Sequence, residues 1–385
     1  MIYLDYHATT PCDDRVIKAM VPYFREAFGN PSSSMHQAGR QAAEAVVEAR
    51  AEVANLIGAQ PGEIVFTAGA TESNNLALLG LARGSTGARR RIITTKIEHK
   101  SVLSPCRELQ KDGFEIIVLP VDQEGQFDFD IARREITADT LLLSVQAANN
   151  EIGTIQCIAE LAALAHEQGA FVHSDAAQAV GKIPVDVEEW DVDLLSVSAH
   201  KLYGPKGVGA LYVRGGSYAL PIAPLMFGGG QEHELRPGTL NVPSIVGFGE
   251  ACRLCSELRL EEARRISVLR DRLEAKLLEN VSNLRRNGAI DNRLPGNCSV
   301  TFPGIDAEAL IANVPELALS TGSACTSGAL EPSHVLMAIG LSREEAYSTI
   351  RIGLGRFTTE DEIERAGVAV IAACERLREF TFEDK

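Results

Sequence analysis

Ser196-Val197-Ser198-Ala199-His200-Lys201-Leu202-Tyr203-Gly204-Pro205-Lys206-Gly207 marks the end of an apolar run and the start of a polar turn bearing glycine and proline. The residues leading into it, Val192 to Val197, read as a buried strand. The connection HKLYGPKG is too short for a crossover between parallel strands, so the next apolar run, Val208 to Val213, is expected to lie antiparallel to its predecessor. Upstream the pattern differs. Glu63 to Thr67, Arg91 to Lys96, Phe114 to Pro120, Leu141 to Ala147 and Ala170 to His173 are short β-branched or aliphatic runs, separated mostly by stretches of helical period. That alternation is the signature of βαβ units. The reading is an α/β fold on a mixed, mostly parallel sheet of seven strands.

From about Val242 to Asn280 the text becomes a long, charge-rich helical pattern with leucines at helical spacing. It reads as a connector to a second, smaller α+β unit, with a strand near Cys298 to Phe302 and helices near Ala307 to Ala312 and Asp361 to Phe380. No internal repeat or low-complexity tract interrupts the chain.

A chain of 385 residues that is 45% hydrophobic can bury a deep core. Its formal charge of -15 repels phosphate backbones and anionic lipid, so nucleic acid and membrane are not expected partners. The opening MIYLDYHATT has no basic region followed by an apolar one, and no window reaches the roughly 18 apolar residues of a membrane helix. A cytoplasmic protein is expected. Eight cysteines scattered over this length lack the density of a disulfide scaffold and are expected as thiols.

Five polar clusters follow directly on predicted strands: residues 69–73, 98–100, 149–151, 175–178 and 198–201. In a doubly wound sheet the carboxyl ends of parallel strands share one edge, where ligands bind, so these segments are expected to converge. The loop FTAGATES opens an apolar helix, expected over Asn75 to Ala82. There Thr71 is either a plain helix cap or part of an anion site. Lys201, at the tail of a buried strand, either reaches solvent or presents a partly desolvated amine able to attack a carbonyl. Asp175 at a neighbouring strand end favours the second reading. A reactive lysine with a carboxylate for a pyridinium nitrogen is the arrangement that pyridoxal 5'-phosphate requires.

Beyond these residues, matching segments run almost end to end: YLDYHATTP, GNPSSSMHQAGR, EIVFTAGATESNNLAL, EHKSVL, NNEIGTIQ, HSDAAQAVGKIPVDV, SAHKLYGPKGVGALYV, GGGQEHELRPGT, STGSACTSG and RIGLGRFTTEDEI. With these the chain resembles the class V, fold-type-I pyridoxal-phosphate enzymes, and more narrowly the cysteine desulfurases of the housekeeping and nitrogen-fixation group. The resemblance implies a large cofactor-binding α/β domain over residues 12–255. It implies a small α+β domain, residues 1–11 and 256–385, carrying a catalytic cysteine loop. It also implies a homodimer. By position, Lys201 would carry the cofactor covalently, His99 would stack on its ring, and Asp175 and Gln178 would meet its ring nitrogen and phenolic oxygen. Ala70, Thr71, Ser198 and His200 would hold the phosphate, and Thr239 would reach the phosphate of the other subunit. Asn150 and Arg351 would receive the carboxylate of L-cysteine. No metal is implied.

Cys325 lies in Ser320-Thr321-Gly322-Ser323-Ala324-Cys325-Thr326-Ser327-Gly328, where small residues open the chain around the thiol. A lone cysteine is commonly a buried hydrophobe. The resemblance instead implies the sulfur-accepting nucleophile, which takes sulfur from L-cysteine, leaves L-alanine, and passes the persulfide to acceptors such as a U-type iron–sulfur scaffold. A selenocysteine lyase would share the same cofactor site and stays open on sequence alone. Cys252 and Cys255 fall on one turn of the long helix and read as packing residues. Gly228-Gly229-Gly230 reads as a flexible segment beside Arg236 and Thr239, and His36, His173 and His334 read as structural. His233 stands where relatives often have arginine.

Overall fold

The computed structural model describes residues 1–321 and 331–383. After a short first strand, β1 (Ile2–Tyr3), the chain lays down β2 (Ile64–Thr67), β3 (Arg91–Thr95), β4 (Glu115–Leu119), β5 (Thr140–Ser144), β6 (Phe171–Asp175), β7 (Leu194–Ser198) and β8 (Gly209–Val213). Strands β2 to β8 form one seven-stranded sheet in the order β2-β8-β7-β6-β5-β3-β4. β8 is antiparallel to both neighbours, β7 and β2, and the other strands run parallel to one another. The seven expected strands are all present within a few residues of their expected ends. The reversal at β8 has the cause read from the sequence. Ser198 pairs with Gly209, and the intervening residues are too few to cross the sheet. Every residue of β5, β7 and β8 is buried, as helices on both faces require.

One helix begins earlier than expected. The segments Ala70–Asn75, Leu76–Gly80 and Leu81–Gly84 form a continuous helical run with a π turn in its middle, not the Asn75 to Ala82 helix anticipated from apolar periodicity. Its first turn is rich in polar residues that resemble a loop, yet Ser73 and Asn74 are buried and bonded to side chains. Tertiary hydrogen bonds, not an apolar stripe, hold that turn.

The helix Val242–Asn280 contributes to two separate apolar cores. Its first half packs Val242, Ile245, Phe248, Ala251, Cys252 and Cys255 into the core around the large sheet. Its second half packs Ile266, Leu269, Leu273 and Leu277 against Ile2 and Leu4, the strands Asn297–Thr301 and Thr349–Gly353, and the helix Glu360–Glu383. Withdrawing a side chain such as Phe248 or Leu273 from water contributes about 1.5–3 kcal/mol. The second core is framed by β9 (Arg285–Arg286), β10 (Asn297–Thr301), β11 (Leu317–Ala318) and β12 (Thr349–Gly353). β10 lies between β12 and β9, and β1 pairs in parallel with β11. The first residues of the chain thus start in the second core and then run back along the carboxyl edge of the large sheet. Among the described residues no helix is long and apolar enough to cross a membrane.

Candidate active site

The five polar clusters come together around one cavity of about 810 Å³, closed on further sides by His7, Ala8, Thr9 and Arg351. Ala70, Thr71, His99, Asn150, Asp175, Gln178, Ser198, His200 and Lys201 all line it. Thr239 does not; it is exposed on the loop that leads into the long helix. Cys325 lies outside the described residues.

Lys201 follows β7 in a short 3-10 turn, Ala199–Lys201, which places its amine at the strand's carboxyl end. The amine donates to the backbone carbonyls of His7 at 2.6 Å and Ala8 at 2.7 Å. His7 is buried, and its carbonyl also accepts from Gln178 Nε2 at 2.9 Å while its Nδ1 lies 3.2 Å from Gln178 Oε1. Gln178 Oε1 accepts in addition from Lys182 Nζ at 2.7 Å. Burial pushes the Lys182 amine down to about 7, with the charge of Lys201 adding to the effect. Burial likewise holds the His7 imidazole well below its ordinary value.

Asp175 ends β6. Its Oδ2 accepts from Asn74 Nδ2 at 2.7 Å, and its Oδ1 from the backbone N–H of Ala177 at 3.0 Å. Across the cavity His99 caps the helix Lys100–Lys111, its Nδ1 accepting from the Ser101 N–H at 3.1 Å. Behind it Glu98 is fully buried and accepts from Thr95 Oγ1 and from the Gln146 N–H, yet burial still pushes its carboxyl up to about 8. At the far end, Arg351 of β12 pairs with Asp5 Oδ1 at 2.7 Å and donates to the Asn150 carbonyl at 3.2 Å.

The remaining end is shaped for an anion. Gly69 sits at φ 145 and starts the helical run without a side-chain cap, so its first turn is presented to the cavity beside Thr71, Ser198 and His200. A Cβ on Gly209 would lie 2.7 Å from Gly69 Cα, so only glycine lets β8 pass this close to the loop. His200 bonds Thr9 Oγ1 through Nδ1 at 3.1 Å, and burial pushes its imidazole down to about 4, leaving a neutral ring. An amine, a fixed carboxylate, an imidazole and an uncapped helix start in one cavity are the donor set that pyridoxal phosphate needs, and the residues present fit it.

The sequence reading placed Glu98 in a converging cluster without giving it a role, and it missed His7, Asp5, Asn74, Ser101 and Lys182. The segment YLDYHATTP carried Asp5 and His7 as part of a resemblance, without a role. Lys182 and Asn74 fell inside resembling segments without a role, and Ser101 was given none. Of the histidines read as structural, His173 is buried between Ser144 and Ser196 and His36 caps the helix Gln37–Leu56. His334 donates from Nε2 to the Glu98 backbone carbonyl at 2.9 Å and also lines the cavity. His233 is exposed, its ring edge against Tyr218. Cys252 and Cys255 are buried in the long helix, as expected.

Sheet order and the cavity at its carboxyl edge define a fold-type-I enzyme. The model of the family "Aminotransferase class-V" matches residues 2–366. A mitochondrial cysteine desulfurase of Arthroderma benhamiae is 50% identical over 382 residues, covering 99% of this chain and 76% of that protein. A solved structure described as a NifS-like protein superposes with a TM-score of 0.90 at 38% identity, over 98% of this chain and 99% of that one. SspA, solved in complex with cysteine, superposes with a TM-score of 0.81 at 37% identity, over 93% and 100%. The chain belongs to the class-V aminotransferase family, in its cysteine desulfurase group.

Proposed function

We propose that this protein is a pyridoxal-phosphate-dependent cysteine desulfurase, converting L-cysteine to L-alanine and collecting the sulfur on Cys325. The observation that carries the reading is the placement of Lys201, Asp175, His99 and Arg351 around one cavity. The cofactor, when bound, supplies an electron sink for bonds at the substrate's α-carbon. Lys201 would hold the cofactor, and its amine is the group placed to take up and return the substrate's α-proton. Asp175, held by Asn74 and the Ala177 amide, would meet the ring nitrogen, and Gln178 would meet the phenolic oxygen. Thr71, Ser198, His200 and the start of the helical run at Ala70 bind the phosphate. Arg351 and Asn150 bind the substrate carboxylate, the guanidinium through its planar fork. His99 moves a proton at the substrate side.

Cys325, as thiolate, attacks the substrate sulfur: a sulfur–sulfur bond forms, the carbon–sulfur bond breaks, and the electron pair left on carbon is protonated on the way to alanine. The persulfide is then open to attack by an acceptor thiol, for which a U-type iron–sulfur scaffold is the leading candidate. We assign residues 12–255 to the cofactor domain and residues 1–11 with 256–385 to the smaller one, a division supported by the two separate cores. Thr239 serves the second subunit of a homodimer. Its exposure away from its own cavity supports this, as does the exposed Phe227 on the same loop.

The test is incubation with L-cysteine, with alanine quantified and the Cys325 peptide weighed. Stoichiometric alanine and one added sulfur on Cys325 are expected. In Cys325→Ser the cofactor's absorbance and its response to substrate persist, but sulfur transfer stops. Full turnover in that variant would remove the persulfide step.

A further inference from the structure

Asn74, Ser101 and His99 form a chain of hydrogen bonds that starts at Asp175. The amide nitrogen of Asn74 donates one hydrogen to Asp175 Oδ2 at 2.7 Å and the other to Ser101 Oγ at 2.8 Å. Ser101 Oγ in turn lies 2.7 Å from His99 Nδ1. Asn74 and Ser101 are both buried.

The directions along this chain are fixed by its first member. A carboxylate only accepts, so the Asn74 atom facing it must be the nitrogen, even though this leaves Asn74 Oδ1 buried with no partner among the described residues. Turning the amide would set two acceptors 2.7 Å apart. Ser101 Oγ, already accepting from Asn74, has its own hydrogen left to give, and His99 Nδ1 is the atom within reach. The Ser101 N–H points at the same nitrogen, at 3.1 Å. Nδ1 therefore accepts twice and cannot carry a proton without breaking both bonds.

We infer that Asn74 and Ser101 are positioning residues that place the single proton of neutral His99 on Nε2, with the orientation set by Asp175. This deepens, and rests on, the desulfurase reading. His99 begins a turnover as a proton donor at Nε2, and accepts at that atom only after giving its proton up. The carboxylate assigned to the cofactor's ring nitrogen and the imidazole assigned to the substrate's proton are thereby coupled through two neutral side chains. The charged and titratable groups that line the same cavity are His7, Glu72, Glu98, Lys100, Glu151, Asp175, His200, Lys201, Lys206, His334 and Arg351.

The test is nitrogen-15 NMR of the histidine side chains in the holoenzyme and in the cofactor-free protein, with His99 assigned by its absence in His99→Asn. Above the titration range the inference requires an unprotonated, doubly bonded Nδ1 and a protonated Nε2. A proton on Nδ1 overturns it. Ser101→Ala removes one donor to Nδ1 and is expected to move the His99 titration upward in pH, Asn74→Ala likewise by letting the hydroxyl turn, and Ser101→Thr to leave it at the wild-type position. Titration of His99 unchanged in both alanine variants overturns the relay. If Asn74→Ala fails to fold, the Ser101 pair carries the test alone. Absence of alanine formation together with the predicted nitrogen signals would defeat the desulfurase reading while the proton placement stood.

Discussion

The amine of Lys201 donates to the backbone carbonyl of His7 at 2.6 Å, joining residues 194 apart in sequence. The chain's first turn is therefore a wall of the cavity, and it fixes where the amine points before any cofactor arrives. Lys201→Ala and Lys201→Gln should fold, because the position is only partly buried and the hydrogen bonds to His7 and Ala8 are to backbone carbonyls, but neither can hold the cofactor covalently. Alanine formation should fall by about 10²–10⁴-fold, the usual share of a positioned proton-transfer group. Retained turnover in Lys201→Ala would contradict the assignment.

Arg351 is almost completely buried, and its guanidinium is already oriented by Asp5 and the Asn150 carbonyl. Arg351→Lys keeps the charge but not the planar fork, so it should rescue Arg351→Ala only slightly. Loss of one charge-assisted hydrogen bond to substrate is worth about 1.5–3 kcal/mol, or roughly 10–100-fold in kcat/KM for cysteine. Steady-state kinetics on both variants decides this. A lysine variant equal to the wild type would show that the fork is unused.

Acid should weaken the fold through His173. Burial pushes this imidazole down to about 4 from its ordinary 6.5. Between those values the unfolded chain binds a proton that the folded chain refuses, so the residue's full contribution is present above pH 6.5 and is lost as pH falls toward 4. The slope from this one group is at most about 1.4 kcal/mol per pH unit. His173→Gln, which leaves a polar group between Ser144 and Ser196, should show a shallower acid limb in denaturant melts. Equal slopes would assign the acid sensitivity to other groups, His200 first.

Gly209→Ala should damage the anion end of the cavity. The added methyl meets the Val197 carbonyl oxygen of β7 first and Gly69 Cα at 2.7 Å, so β8 must shift from both β7 and the loop that opens the helical run. A loss of about 1–3 kcal/mol in stability is expected from such overpacking, together with weaker retention of the cofactor. Dialysis followed by absorbance measurement reads the second effect; unchanged retention would separate Gly209 from the anion site.

Periodicity made the large sheet legible, because its strands are short apolar runs and the β7-to-β8 turn is too short to permit anything but reversal. It failed at residues 70–75, where polar side chains stabilise a helix by pointing into a buried network that no local pattern reveals. The convergence of Thr71, Asp175 and Lys201 followed from one topological rule about strand ends. Asp5, His7 and Lys182 were illegible as site residues, since their roles depend on pairings such as Asp5 with Arg351, 346 residues apart. Asn74 and Ser101 lie near the starts of helices, and nothing local shows that their side chains meet each other, 27 residues apart.

The most direct measurement traps the cofactor on the protein by borohydride reduction and locates the modified peptide by mass. The account predicts a single modified lysine, Lys201, in the peptide spanning His200 to Lys206. Modification at Lys182 or Lys206 instead, or no covalent attachment at all, would contradict it.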